Sequence, residues 1–354
     1  MAIELRKVSL RVGAETHIYE TDLSLQPGQF NILLGTTLSG KTSLMRLMAG
    51  LEKPTSGELW MNGEPVTGIP VQKRSVAMVY QAFINYPSFS VYDNIASPLK
   101  VAGLPKDEID ARVRQFADLL QLTPMLHRLP GELSGGQQQR TALARALVKG
   151  ADLVLLDEPL ANLDYKLREE LRDELPKMFA DSGATVIYAT SEPLEALMLG
   201  GYTATLNEGR VVQFGATSNI YRQPDSLEAA RVFSDPPINT ATIEKRGNRV
   251  YLSDSVSWTV PVRLASLPDG HYSIGLRPHH LSPTGSGVEV GGEVQIAEIS
   301  GSESIMRVNI EGNNWVSEAH GIHKFKFGER RSFFFDANRC LYFDSNDKLV
   351  ETQV

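Results

Sequence analysis

Residues 28–34 form a short apolar run that leads into a Gly-rich stretch, and residues 42–49 then carry helix formers with apolar side chains at helical spacing. This pattern predicts a strand, a loop and a helix in that order. From 104 to 149 the periodicity becomes helical, first over 106–120 and then over 136–149, where Ala142, Leu143, Ala146 and Leu147 recur. A helical insert over about 86–150 is the expectation. Short β-rich runs follow at 153–156 and 185–189, separated by a charged helical stretch at 166–178. Strands alternating with helices predict a largely parallel, doubly wound sheet. Beyond Pro236 and Pro237 the chain turns to Gly-punctuated strands at 294–299, 305–310 and 331–335. A chain of 354 residues exceeds the usual size of one core. Two domains are therefore expected, 1–234 and an all-β one over 235–354.

Composition narrows the classes. A formal net charge of −7 argues against a nucleic-acid binder, which needs a basic stripe to meet phosphates. The single cysteine, Cys340, excludes an internal disulfide and reads as a small buried strand residue. Nowhere do ~20 consecutive apolar residues occur, so a membrane role would run through a partner.

Four segments carry chemistry. Gly35, Thr36, Thr37, Leu38, Ser39, Gly40, Lys41 and Thr42, with Ser43 behind, sit between the strand and the helix. Successive backbone N–H groups and a helix N-terminus there would face phosphate oxygens, with Lys41 on the β and γ phosphates and the Thr42 hydroxyl on Mg²⁺. An ordinary glycine turn is the competing reading, and the flanking strand and helix weaken it. Asp157 and Glu158 end an apolar strand, which brings both carboxylates to the carboxyl edge of the sheet. Asp157 is expected to hold Mg²⁺ through water, and Glu158 to orient or deprotonate the attacking water. Ser134, Gly135, Gly136 and Gln137 offer a hydroxyl and bare backbone at a helix start, either as a second anion site or as a plain helix cap. Gln81 follows the apolar pair Met78 and Val79 and precedes the helical insert.

Taken together, these segments resemble the phosphate loop, glutamine loop, signature and carboxylate pair of the ABC ATPases. The stretches 275–281 and 292–303 resemble the C-terminal domain of carbohydrate-importer ATPases, the maltose and glycerol-3-phosphate group. The resemblance implies an α/β P-loop ABC ATPase, with a RecA-like mixed sheet and an inserted helical subdomain, followed by an OB-like all-β domain. It further implies head-to-tail pairing of two ATPase subunits, in which Ser134–Gln137 serve the ATP of the other subunit and Asp164 lies in the loop that touches the other site. Gln81 would sense Mg²⁺ and the attacking water. The partners implied are a second ATPase subunit, two transmembrane permeases and, indirectly, a periplasmic solute-binding protein, with the chain peripheral to the cytoplasmic face of a bacterial inner membrane. Residues 81–86 and 91–99 are expected to receive the permeases. Stretches 17–22, 35–40, 70–74 and 81–87 resemble ATPase subunits of bacterial glycerol importers, which implies glycerol; glycerol-3-phosphate, another polyol or a sugar remain open.

Three departures from the family pattern stand out. Leu38 occupies a position where glycine is usual. Val12, before Gly13, replaces the aromatic that stacks on adenine, while nearby Tyr19 is expected to pack within its strand. Ser191, between Thr190 and Glu192, replaces the switch histidine that grips the γ phosphate. That loss implies unequal sites in a heterodimer, or a regulatory subunit with a dead site; Lys41, Asp157, Glu158 and Gln81 count against the latter. ABC proteins of translation and DNA repair differ in carrying two cassettes or a long coiled coil. His279 and His280 read as turn residues rather than metal ligands.

Overall fold

The structure, a computed structural model, describes residues 1–350 apart from Phe83, Asn162 and Asp181. The chain divides into two compact units, Met1–Ser218 and Asn219–Val354.

In the first unit, the elements run β1 (Ile3–Val12), β2 (Glu15–Leu25), β3 (Phe30–Leu34), α1 (Lys41–Ala49), β4 (Ser56–Met61), β5 (Glu64–Pro65), β6 (Val76–Val79), α2 (Val91–Val101), α3 (Lys106–Leu119), α4 (Gly135–Leu147), β7 (Leu153–Asp157), α5 (Tyr165–Ala180), β8 (Thr185–Thr190), α6 (Pro193–Leu199), β9 (Tyr202–Asn207) and β10 (Arg210–Ala216). An antiparallel sheet of order β2-β1-β4-β5 alternates buried and exposed positions, as a half-buried sheet requires. A second sheet, of order β10-β9-β3-β8-β7-β6, is parallel except for β10, which runs antiparallel to β9. The expected parallel sheet is thus mixed at one edge. All residues of β3, β7 and β8 are buried, which is why they read as continuous apolar runs rather than alternating ones. Ile3, Leu5 and Ile18 share one core with Leu44, Met45, Leu155 and Ile187, so the antiparallel sheet, α1 and the mixed sheet are packed as one body. Register places Leu34 beside Thr190 and Ala189 beside Asp157. The carboxyl ends of β3, β8 and β7 therefore open side by side. Helices α2, α3 and α4 pack together as the insert.

The second unit begins inside α7 (Thr217–Arg222), continues through α8 (Leu227–Val232) and then consists of strands β11 (Asn239–Arg246), β12 (Arg249–Tyr251), β13 (Ser257–Thr259), β14 (Gly270–Leu276), β15 (Val288–Ser300), β16 (Glu303–Ile310), β17 (Asn313–His320), β18 (Arg330–Phe335) and β19 (Leu341–Phe343). Two antiparallel sheets, β13-β12-β11-β14-β19 and β17-β16-β15-β18, share a core containing Trp258, Trp315, Phe333 and Phe335. The composition change at 235 lies after the structural division. Residues 219–234 side with the strands because Leu227 and Ala230 pack on Ile238 and Phe343. Buried Arg277 completes the attachment by donating to the carbonyls of Phe233 (2.9 Å) and Tyr221 (2.6 Å). Cys340 is fully buried just ahead of β19, and burial pushes its thiol pKa upward. His279 and His280 lie in a single 3₁₀ turn, and His280 is lowered to about 4 by burial and then by its neighbours His279, Arg339 and Arg277.

Candidate nucleotide site

The phosphate loop is built by β3 ending and α1 beginning within seven residues. Gly40 is the residue before the helix, at φ 101°, and no side chain caps the N–H groups that follow. A Cβ on Gly40 would lie 2.8 Å from Ile18 Cδ1, and one on Gly35 would lie 2.5 Å from the Leu206 carbonyl oxygen. Bare backbone at both positions lets the loop curl tightly, with the Ser39 N–H donating back to the Thr36 carbonyl at 3.2 Å. Leu38 adopts φ 67° with its side chain 94 % exposed. The left-handed backbone explains why glycine is the family's residue here, and a leucine bears about 1 kcal/mol of local strain. Ser39 Oγ is buried without a hydrogen-bond partner. An unpaired hydroxyl in this cradle fits a site completed by an oxygen-rich ligand.

Lys41 is 6 % exposed, and its Nζ donates to the carbonyls of Gly35 (2.7 Å) and Thr36 (2.9 Å). Desolvation lowers its pKa, while Glu158 and Asp157 oppose the shift. Asp157 is also buried, and burial raises its carboxyl, partly offset by the Thr42 hydroxyl, which donates to Oδ2 at 2.8 Å. Glu158 holds φ 46°, and its two carboxylate oxygens face different groups. Oε1 lies 3.8 Å from Lys41 Nζ, and Oε2 accepts from Gln81 Nε2 at 3.0 Å. Lys41, Thr42, Gln81, Asp157 and Glu158 are thus brought together from four separate elements or loops. A cleft of about 610 Å³ is bordered by Thr37–Ser43, Gln81, Glu158, Glu208, Gly209 and the β2 residues Glu15, Thr16, His17 and Tyr19, and Asp157 meets it only through its bond from Thr42. Among the described residues no three His, Cys, Asp or Glu side chains cluster as a metal cage. One hydroxyl and one buried carboxylate beside a phosphate cradle form the oxygen donor set that suits Mg²⁺, which keeps several waters and binds chiefly through substrate phosphates.

Other expected residues lie elsewhere. Ser134–Gln137 do not border the cleft. Ser134 accepts from the Gln137 N–H (3.3 Å) and Gln137 Oε1 accepts from the Ser134 N–H (3.0 Å), closing a reciprocal cap at the start of α4. Asp164 Oδ1 accepts from the Leu167 N–H at 3.0 Å and so caps α5. Ser191 is exposed and directly follows Thr190, whose carbonyl accepts from the Gly35 N–H (3.3 Å). The chain just before Ser191 thus touches the phosphate loop, although Ser191 itself does not border the cleft. Sequence reasoning missed Glu195, a buried carboxylate on α6 that accepts from Tyr188 Oη (2.7 Å) and Thr190 Oγ1 (2.5 Å) and holds the end of β8 in place. Its only sequence signal is a lone acid on the apolar side of a short helix. Tyr19 was expected to pack within its strand; instead it is 38 % exposed and borders the cleft. In the segment assigned to permeases, Phe83 lies outside the described residues. Val91, Ile95 and Leu99 are buried within the insert, which corrects their expected place on a receiving surface; Ile84, Tyr86 and Phe89 are exposed.

A phosphate cradle with a buried lysine, a carboxylate pair at the sheet edge and a separate signature-bearing helix together define an ATP-binding cassette. The chain belongs to the ABC transporter family, whose pattern matches residues 18–161. It is 37 % identical to the alpha-glucoside transport ATP-binding protein AglK of Rhizobium meliloti, over 97 % of each chain. Identity to the trehalose/maltose import ATP-binding protein MalK of Thermococcus litoralis is also 37 %, over 94 % of each. The sn-glycerol-3-phosphate import ATP-binding protein UgpC of Ralstonia nicotianae is 34 % identical over 97 % of this chain and 96 % of its own. The dimeric post-hydrolysis structure of the ATP-binding cassette MJ0796 with ADP and Pi superposes with a TM-score of 0.56 at 26 % identity, covering 61 % of this chain and 98 % of that one. As an ABC ATPase, the chain acts on ATP with Mg²⁺.

Proposed function

We propose that this chain is the ATP-hydrolysing subunit of an importer for a small polyhydroxylated solute, with glycerol foremost, seated on the cytoplasmic face of the membrane against two permeases. The carrying observation is the convergence of Lys41, Thr42, Asp157, Glu158 and Gln81 under one cleft, with the signature helix apart from it. Support for the solute class comes from relatives named for alpha-glucosides, trehalose/maltose and glycerol-3-phosphate. The choice of glycerol within that class rests on the resemblance of residues 17–22, 35–40, 70–74 and 81–87 to glycerol-importer ATPases.

In this reading Lys41 exchanges the Gly35 and Thr36 carbonyls for phosphate oxygens, a swap of equivalent acceptors that requires little backbone movement. Thr42 and Asp157 would hold Mg²⁺, which supplies charge neutralisation on the β and γ phosphates. Glu158, steadied by Gln81, orients the attacking water and accepts its proton. Ser191 is too short to reach as an imidazole does, and losing such a donor costs on the order of 10²- to 10³-fold in turnover. The chain accordingly works beside a second, unlike ATPase subunit that retains the missing group, and Ser134–Gln137 complete that subunit's site. Uptake by vesicles carrying the chain with its permeases, partner ATPase and solute-binding protein tests this reading. ATP-dependent accumulation of labelled glycerol, exceeding that of maltose and glycerol-3-phosphate, is the expected result. Preference for either competitor would remove glycerol, and full uptake with this chain as the sole ATPase would remove the unlike partner.

A further inference from the structure

The phosphate end of the cleft is well furnished, but the hairpin position expected to meet the nucleotide's base holds Val12, which is half exposed and does not border the cleft. Residues of β2 also wall the cleft, close beside the phosphate loop. On β2, Ile18 is buried in the core whereas Glu15, Thr16, His17 and Tyr19 border the cleft, the ladder to β1 being irregular on both sides of Ile18. Building on the reading of this cleft as the ATP site, we propose that Tyr19 is the platform on which the purine base packs, in place of an aromatic at position 12.

Three observations carry this assignment. First, Tyr19 is fixed relative to the phosphate loop through a single glycine: the Tyr19 N–H donates to the Gly209 carbonyl (2.9 Å), and the Gly209 N–H donates to the Ser39 carbonyl (3.0 Å). Gly209 has φ 77°, and a Cβ on it would lie 2.5 Å from the His17 carbonyl oxygen, so the junction tolerates no larger residue. The main chain that carries the ring is thereby held in place before the ligand arrives, which reduces the ordering cost of binding. Second, the Arg210 guanidinium carbon sits 3.7 Å from the Tyr19 ring centroid. Arg210 itself does not border the cleft, whereas Tyr19 does. A cation on one face holds the ring flat for a base on the other. Third, Tyr19 retains 38 % exposure despite the arginine, so part of it is accessible on the cleft that it borders.

Binding measured on the purified full chain with two probes, ATP·Mg²⁺ and inorganic tripolyphosphate·Mg²⁺, separates base from phosphate contributions. Tyr19→Ala is expected to weaken ATP by about tenfold or more, the scale of base–aromatic stacking, and to change tripolyphosphate by less than about twofold. Tyr19→Phe should retain ATP affinity, as should Val12→Ala. Tyr19→Trp should show indole quenching with ATP and none with tripolyphosphate. The assignment is overturned if Tyr19→Ala binds ATP normally, if it weakens both probes equally, or if Val12→Ala selectively loses ATP. Absence of tripolyphosphate binding by the unmutated chain would instead overturn the phosphate-loop reading, and this proposal with it.

Discussion

The two helix N-termini that matter here, those of α1 and α4, solve the same problem in opposite ways. Each leaves backbone N–H groups without intrahelical partners. At α4 the chain satisfies them internally, through the reciprocal pair Ser134 and Gln137. At α1 it does not: Gly40 has no side chain to offer, Ser39 Oγ is left unpaired, and a buried lysine rests on carbonyl oxygens. The α1 end is thus poised for an anion within its own chain, whereas at α4 the cap already pairs the N–H groups of Ser134 and Gln137. Conformational economy differs too, since the loop before α1 holds Leu38 in a left-handed conformation while Ser134 is ordinary extended backbone.

Gly136→Asp should produce the largest effect that follows from this contrast. A carboxylate placed on α4's first turn would repel the second subunit's phosphates and reduce ATPase of the assembled complex by on the order of 10²-fold. Glu158→Gln in the same complex should reduce it only partly, on the proposal that Ser191 leaves this chain's own site the weaker of the two. If Glu158→Gln proved the more damaging, the proposed inequality of sites would be reversed. Next in size, Asp157→Asn should weaken Mg²⁺-dependent ATP binding about 10- to 100-fold, as expected for a group holding the ion through water. The same variant should melt at a higher temperature without ligand, since the ionised carboxylate is buried at 2 % exposure. A lower melting temperature would show that Asp157 is chiefly structural. Ser134→Ala should cost about 1 kcal/mol in denaturant unfolding of the isolated chain by removing the α4 cap. No change would mean that the cap seen here contributes nothing. Smallest of all, Leu38→Gly should stabilise by less than about 1 kcal/mol through relief of the left-handed backbone.

Much of this was legible along the chain because it is local. Strand, Gly-rich loop and helix around Lys41 are contiguous, and the apolar run ending at Asp157 announces a buried central strand. The signature's Ser134 sits where a cap should, so its element was legible, though its choice between cap and ligand was not. What stayed hidden depends on long-range packing. Tyr19 lies where the β1–β2 ladder is irregular, so alternation along the sequence does not give its face, and the approach of Gly209 is visible only in the fold. Arg74 reads as one cation in a basic stretch; folding buries it so that it donates to the carbonyls of Met48, Val66 and Ile69. Similarly, the prolines at 236 and 237 suggested a boundary, whereas the preceding α8 had already committed its apolar face to Phe343.

The central claim is that this chain's phosphate loop binds ATP unaided while its signature serves another subunit. Titration of ATP·Mg²⁺ into the isolated chain, comparing Lys41→Ala with Gly136→Asp, tests it most directly. Lys41→Ala should lose affinity roughly 10²-fold, the worth of charge-assisted hydrogen bonds to phosphate, and Gly136→Asp should bind as the unmutated chain does. Equal loss in both variants, or unchanged affinity in Lys41→Ala, would contradict the account.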